Sequence, residues 1–291
     1  VHDVVSKRAG ARVGGGAMNY RRTYFILTCL AFGFAFLYLP ILSMVVFSFN
    51  ASKLVTVWDA ANSPTLKWYY SLLNNEEILD AAWISLKVAV INASGAVILG
   101  TLAGFGLARF TQFRGRFTLN AMTTAPLVMP EVITGLSLLL LFVALEQWIG
   151  WPAGRGITTM TIAHMTFSMA YVTVVVHSRM ATFDSALEEA AMDLGARPLK
   201  VFFVITLPII FPAILSGWLL AFTLSWDDLV ISSFTSGPGS STLPMVVFSK
   251  VRLGVSPEIN VLATLTISVV TLMIVGVSIW MSRAAKLERA A

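Results

Sequence analysis

The sequence predicts an all-α polytopic membrane protein with six transmembrane helices, and three observations carry that prediction. Of its 291 residues, 57% are hydrophobic and only 12% charged, about half the charged share with which a soluble domain covers its surface. Six apolar runs are separated by polar connections, each run long enough, at about 20 residues or more, to cross a hydrocarbon core of about 30 Å. Lys and Arg are dense in alternate connections, as the orientation of a multi-pass chain requires. This composition excludes a disulfide scaffold, a disordered chain and an ordinary soluble enzyme.

Residues 1–22 form a Gly-rich, basic N-terminal segment. Met18 immediately precedes Asn19-Tyr20-Arg21-Arg22 and is a candidate natural start, so residues 1–17 are read as non-native or upstream of it and receive no function. The first run, Tyr24 to Phe49, is too long for a signal-peptide core and lacks a small-residue cleavage site, so it reads as a retained helix. Cys29 within it has no partner for an internal disulfide and reads as a small buried apolar residue. The outer connection to residue 80 combines Asp59, Glu76, Glu77 and Asp80 with Trp58, Trp68, Tyr69 and Tyr70, and Trp83 follows. That mixture suits a segment lying along the membrane interface.

Residues 81–281 hold the remaining runs: Ala82 to Ala108, Phe117 to Leu145, Ile157 to Val176, Ile209 to Leu229 and Val261 to Met281, before a tail at 282–291. One side of the membrane receives Lys7, Arg8, Arg12, Arg21, Arg22, Arg109, Arg114, Arg116, Arg179, Arg197, Lys200, Arg283, Lys286 and Arg289. The other receives Lys53, Lys67, Arg155, Lys250 and Arg252. The richer side is the cytoplasm, which places both termini inside. The net charge of +5 is therefore a topology signal, and no nucleic-acid partner is expected. There is no internal repeat and no Cys/His cluster with metal-ligand spacing. His164 and His177 stay open between hydrogen-bonded interior groups and ligands.

The fourth connection, Asp184 to Pro208, is the most informative. Good helix formers run from Ser185 to Leu194, with Asp184 or Ser185 able to cap them. Gly195 supplies a break suited to positive φ, and Pro198 opens a second helical pattern. One face of the first helix is small (Ala186, Ala190, Ala191) and another acidic (Glu188, Glu189, Asp193). So little apolar area cannot hold a helix in place alone. The pattern fits either a solvated loop on the membrane surface or a helix that docks into a partner.

Glu189-Ala190-Ala191, Gly195, Ile205, Leu207 and Pro208 set seven positions over twenty residues. That spacing matches the EAA signature, and the chain resembles the permease subunits of binding-protein-dependent ABC importers. The resemblance covers nearly everything after Met18 and narrows to the polyamine permeases, the putrescine type in particular. Ser48-Phe49-Asn50-Ala51-Ser52-Lys53, the run from Ala125 to Gly135, the run from Phe222 to Val230 and that from Gly254 to Asn260 carry it. Trp226 departs from it, standing where those permeases have an aliphatic residue. The resemblance implies a type I ABC importer permease fold in the bacterial inner membrane. It makes the Asp184–Pro208 segment the coupling helix that fits a groove on a cytoplasmic ATP-binding subunit, with Glu188, Glu189, Ala190, Ala191, Asp193, Gly195, Leu207 and Pro208 as its coupling residues. Glu189 is expected to pair with a basic group there. The implied partners are ATP-binding subunits, a second homologous permease subunit, a periplasmic polyamine-binding protein and membrane lipid.

Three acids fall within or at the edge of the spans: Glu131, Asp227 and Asp228. At the helical rise, Asp227 lies roughly 27 Å above Ile209 and Glu131 roughly 21 Å above Phe117. Neighbours on a helix point about 100° apart, so only one of the Asp pair can face a pathway. The other needs a helix end, a hydroxyl or a neighbouring subunit. Capping at the outer surface for the pair, and a Pro130 kink partner for Glu131, are the structural readings. In the functional reading, Glu131, Asp227 and Asp228 replace the hydration that a dicationic amine loses, and Trp226 adds a cation–π contact. No Gly-Lys pair exists, so the chain has no P-loop. It is expected to be no enzyme and to bind no metal or cofactor, with ATP and Mg held on partner ATPase subunits. An ion-gradient-driven secondary transporter of amines is the alternative.

Overall fold

The computed structural model describes residues 20–54, 57–110, 112–254 and 256–290. Met18 and the readings made for residues 1–17 lie outside the described residues. Every regular element among those described is a helix, in keeping with the expected all-α membrane fold. The chain divides into two compact units, one of the residues up to Leu72 together with those from 255 onward, the other Leu73–Gly254.

In the first unit, helix α1 (Tyr20–Phe47) packs against α12 (Pro257–Ala290). Phe25, Phe32, Phe36 and Leu39 are exposed around α1, the apolar surface of a helix long and apolar enough to span a membrane. Cys29 is exposed too. It is therefore not the buried residue expected, because α1 leaves most of its circumference unpacked. The loop after α1 folds around Asn50, whose Oδ1 accepts the N–H groups of Ser52 and Asp59 and the Ser63 hydroxyl. Its Nδ2 donates to Val57 O, and its carbonyl accepts Trp68 Nε1–H at 2.8 Å. Hydrogen bonds, first that from the Asn62 side chain, hold the Asp59 carboxyl below the usual range. Helix α2 (Lys67–Leu73) follows. Of the expected interfacial aromatics, Trp68 is buried, whereas Trp58 and Tyr70 remain exposed.

The second unit contains α3 (Glu76–Arg109), α4 (Arg116–Val128), α5 (Glu131–Ile149), α6 (Ile157–Ala181), α7 (Ala186–Asp193), α8 (Pro198–Val201), α9 (Leu207–Trp226), α10 (Val230–Thr235) and α11 (Leu243–Leu253). Helix α3 starts before the apolar run because the Asn75 side chain accepts the Ile78 N–H and two acids occupy its first turn. Helices α3, α6 and α9 pack around Ala93, Ala96, Val172, Val176, Ile210 and Ala221. Contacts of Gly95 with Met165, Gly100 with Val172 and Gly104 with Val176 advance in step, so α3 and α6 run parallel. A Cβ at Gly100 would stand 2.7 Å from Val172 Cβ. The glycine is what lets the two backbones approach. Asn92, fully buried, donates to Ser168 Oγ and Ala221 O and so joins all three helices.

The third predicted run, Phe117 to Leu145, is not one helix. It breaks at Met129-Pro130 into α4 and α5. Pro130 has no N–H to donate and forces the preceding Met129 into the extended region (φ −76°, ψ 137°). Five helices among the described residues are long and apolar enough to cross a membrane, and the sixth predicted run lies inside the 34-residue α12.

Candidate functional site

Between α6 and α9 the chain forms the helix, turn and helix anticipated from its pattern. Asp184 Oδ1 accepts the Ala186 N–H at 3.0 Å, so Asp184 caps α7, and Ser185 makes no capping bond. At the other end Gly195 adopts φ +86°. Its N–H reaches Met192 O at 2.8 Å while the Ala196 N–H reaches Ala191 O at 3.1 Å. This pair of bonds is a Schellman motif, which closes the helix only through a residue tolerant of positive φ. Arg197 is extended and Pro198 starts α8. A π turn, Phe202–Thr206, leads into α9. Pro208 explains it, since this residue cannot bond the carbonyl four residues back and would clash with it in a regular α-helix.

The expected coupling residues are distributed over two faces. Glu189, Ala190, Asp193, Gly195 and Pro208 are exposed, and Ala191 and Leu207 are half-buried. Leu187, Met192, Leu194 and Leu199 add exposed apolar area around them. Glu188 does not share the open acidic face. It turns inward, where its Oε2 lies 2.8 Å from Arg109 Nε at the end of α3 and its Oε1 accepts the Thr206 hydroxyl. Sequence reasoning missed Arg109 and Thr206 as its partners, because nothing in their local patterns points across such separations.

At the opposite end of α9, the two neighbouring Asp residues have different surroundings. The helix ends at Trp226 with Asp227 as its C-cap, short of the predicted Leu229. Asp227 is exposed. Asp228 turns inward and its carboxylate accepts the N–H groups of Ile231 (3.2 Å) and Ser232 (2.7 Å) at the start of α10. His164, only 2% exposed, lies in the same cluster. Its Nε2 is 3.2 Å from Asp228 Oδ2 and 3.1 Å from Ser232 Oγ, and its Nδ1 is 2.6 Å from Ser225 Oγ. Polar positions at 225, 228 and 232 were the available sequence signal for this cluster. His164 is thus a hydrogen-bonded interior group. No group of His, Cys, Asp and Glu among the described residues could hold a metal.

Trp226 stacks on Phe222, and Phe222 on Trp218, with interplanar angles of 14° for both. One face of the Trp226 ring is therefore turned to Phe222, and the residue is half-buried. Glu131 sits exposed in the first turn of α5 and makes no hydrogen bond to the Asp228 cluster. Its depth does not follow from a continuous rise above Phe117, because the helix is interrupted just before it.

Residues 96–287 match the family described as "Binding-protein-dependent transport system inner membrane component". The chain is 59% identical over 262 residues to the "Putrescine transport system permease protein PotI" of Escherichia coli K12, an alignment covering 89% of this chain and 92% of that protein. It is 39% identical over 243 residues to the "Spermidine/putrescine transport system permease protein PotC" of the same strain, covering 84% and 88%. Among solved structures it is similar in fold to a chain of a bacterial ABC transporter involved in the import of the acidic polysaccharide alginate. That match has a TM-score of 0.67 at 16% identity and covers 90% of this chain and 97% of that one.

Proposed function

The chain belongs to the family of inner-membrane components of binding-protein-dependent transport systems, and from that premise we propose that it is the permease subunit of an ATP-driven importer of putrescine or a related polyamine. It is a multi-pass protein of the inner membrane. In this reading both termini and the α7–α8 segment face the cytoplasm. The observation that carries it is the exposed α7, closed by the Gly195 turn and presenting Glu189, Ala190 and Asp193. A helix of eight residues with so small a face gains its function by docking onto another subunit. ATP and Mg belong to ATP-binding partners on that side, and this chain binds neither. A second homologous permease subunit and a periplasmic polyamine-binding protein complete the assembly.

For the cargo, Asp227 and the Trp226 ring form the outer pathway contact, and Asp228 holds the elbow that presents them. Glu131 is a further pathway carboxylate. A diammonium ion leaving water loses hydration that these groups replace. Binding stays weak, because a site that passes its cargo onward cannot hold it tightly. The test is purification from the native membrane, followed by uptake in vesicles supplied with the binding protein. An ATP-binding subunit is expected to accompany the chain, and labelled putrescine is expected to enter only when ATP is inside. Uptake driven by an ion gradient in the absence of an ATPase would overturn the assignment.

A further inference from the structure

Arg109, Glu188 and Thr206 come from the end of α3, the first turn of α7 and the π turn before α9. Their side chains meet at one carboxylate, with Arg109 also placed 5.1 Å above the Phe183 ring. The charged pair is largely dry, with side chains 19% and 12% exposed. Two apolar surfaces can slide past each other, but separating a dry ion pair leaves two buried charges uncompensated, so a displacement of one drags the other. The Arg109 Nε–H is not aligned for a hydrogen bond and Nη2 is buried without an acceptor. The guanidinium thus has spare donors with which to keep hold of Glu188 as the geometry changes. A cavity of about 220 Å³ beside the three residues, bordered by Phe105, Met192, Val201 and Phe202, leaves room for that movement.

We propose that Arg109, Glu188 and Thr206 form the joint through which displacement of α7 reaches α3 and α9. The inference rests on the reading of α7 as a docking helix. Adjacent carboxylates then divide two tasks. Glu189 faces the ATP-binding partner, and Glu188 is a positioning residue that ties α7 to the membrane helices.

The test uses the assembled transporter with Cys29→Ser and an environment-sensitive fluorophore on Leu194→Cys at the end of α7 or on Ile91→Cys in α3. In the parent, ATP is expected to change emission at both positions. With Arg109→Gln or Glu188→Gln the Leu194 signal is expected to persist while the Ile91 signal falls about fivefold, and the charge-swapped pair Arg109→Glu with Glu188→Arg to restore it, as coupled residues do. Thr206→Val removes the hydroxyl without touching a charge, and it is expected to weaken the Ile91 response even if the charge variants fail to assemble. An unchanged Ile91 response in these variants would overturn the joint. An ATP response absent at Leu194 in the parent would overturn the docking reading and the joint with it. Diamine uptake measured in parallel separates the substrate question, since its failure overturns the polyamine assignment and leaves the ATP-driven signals standing.

Discussion

Asp227 and Asp228 are neighbours in the chain, yet one is exposed at the end of α9 and the other accepts two N–H groups and faces His164. Replacing Asp227 with Asn keeps size and removes charge, so it is expected to lower diamine uptake about tenfold, through loss of roughly 1–2 kcal/mol of ammonium contact, without altering assembly. Asp228→Ala removes a cap and leaves His164 without its carboxylate, for an expected destabilisation of about 3 kcal/mol. Uptake normalised to assembled complex, together with the thermal midpoint in detergent, checks both. Equal behaviour of the two variants would contradict their assigned roles. At Gly195, with φ at +86°, a β-branched side chain is strained by about 1–2 kcal/mol or more. Gly195→Val is expected to insert normally but to lose co-purifying ATP-binding subunit, as is Glu189→Lys, which reverses an exposed charge. Retention of that subunit by both variants would remove the coupling role. The glycine turn was legible in the sequence because only its backbone chemistry was needed. The inward turn of Glu188 was not, because its partner lies at the end of a different helix.

Among the elements, α3 and α6 show how packing constrains a helix whose sequence looks uniformly apolar. Gly100 is enclosed, with Val172 Cβ at 2.7 Å and the Met169 carbonyl at 3.0 Å from a virtual Cβ, whereas Gly106 has nothing within 4 Å. Gly100→Ala is therefore expected to cost about 1–3 kcal/mol by overpacking. Gly106→Ala is expected to be neutral or stabilising by up to about 1 kcal/mol, since it only relieves helix entropy. Thermal melts of the two purified variants give the comparison, and equal losses would mean that the seam is looser than its distances. The α4–α5 break and the π turn before α9 both follow from a missing proline N–H. Pro130 and Pro208 were visible in the sequence. The outcome was not, because the same residue can kink, bulge or divide a helix depending on what packs around it.

For the whole molecule, orientation is the property that the basic residues decide. With Cys29→Ser removing the exposed native thiol, a membrane-impermeant reagent is expected to label Ala61→Cys from outside and Leu199→Cys only from inside. The reverse pattern would invert the topology and move α7 away from the cytoplasm. Ala61 is exposed, while Ser63 beside it is engaged with Asn50 and with the Ala51 N–H, so the former is the better probe. Length, apolar runs, charge distribution and the seven-position signature are one-dimensional properties, and they sufficed for an all-α membrane fold, its family and the turn at Gly195. Hydrophobic thickness and backbone chemistry act locally, so the linear order of residues determines these features. The pairing of His164 with Asp228, the meeting of Arg109, Glu188 and Thr206, and the different surroundings of the two acids in each pair needed the tertiary structure. His164 meets Ser225 across 61 positions and Arg109 meets Glu188 across 79, while Glu188 and Thr206 stand 18 apart, and which way a carboxylate turns is settled by the helix that packs beside it.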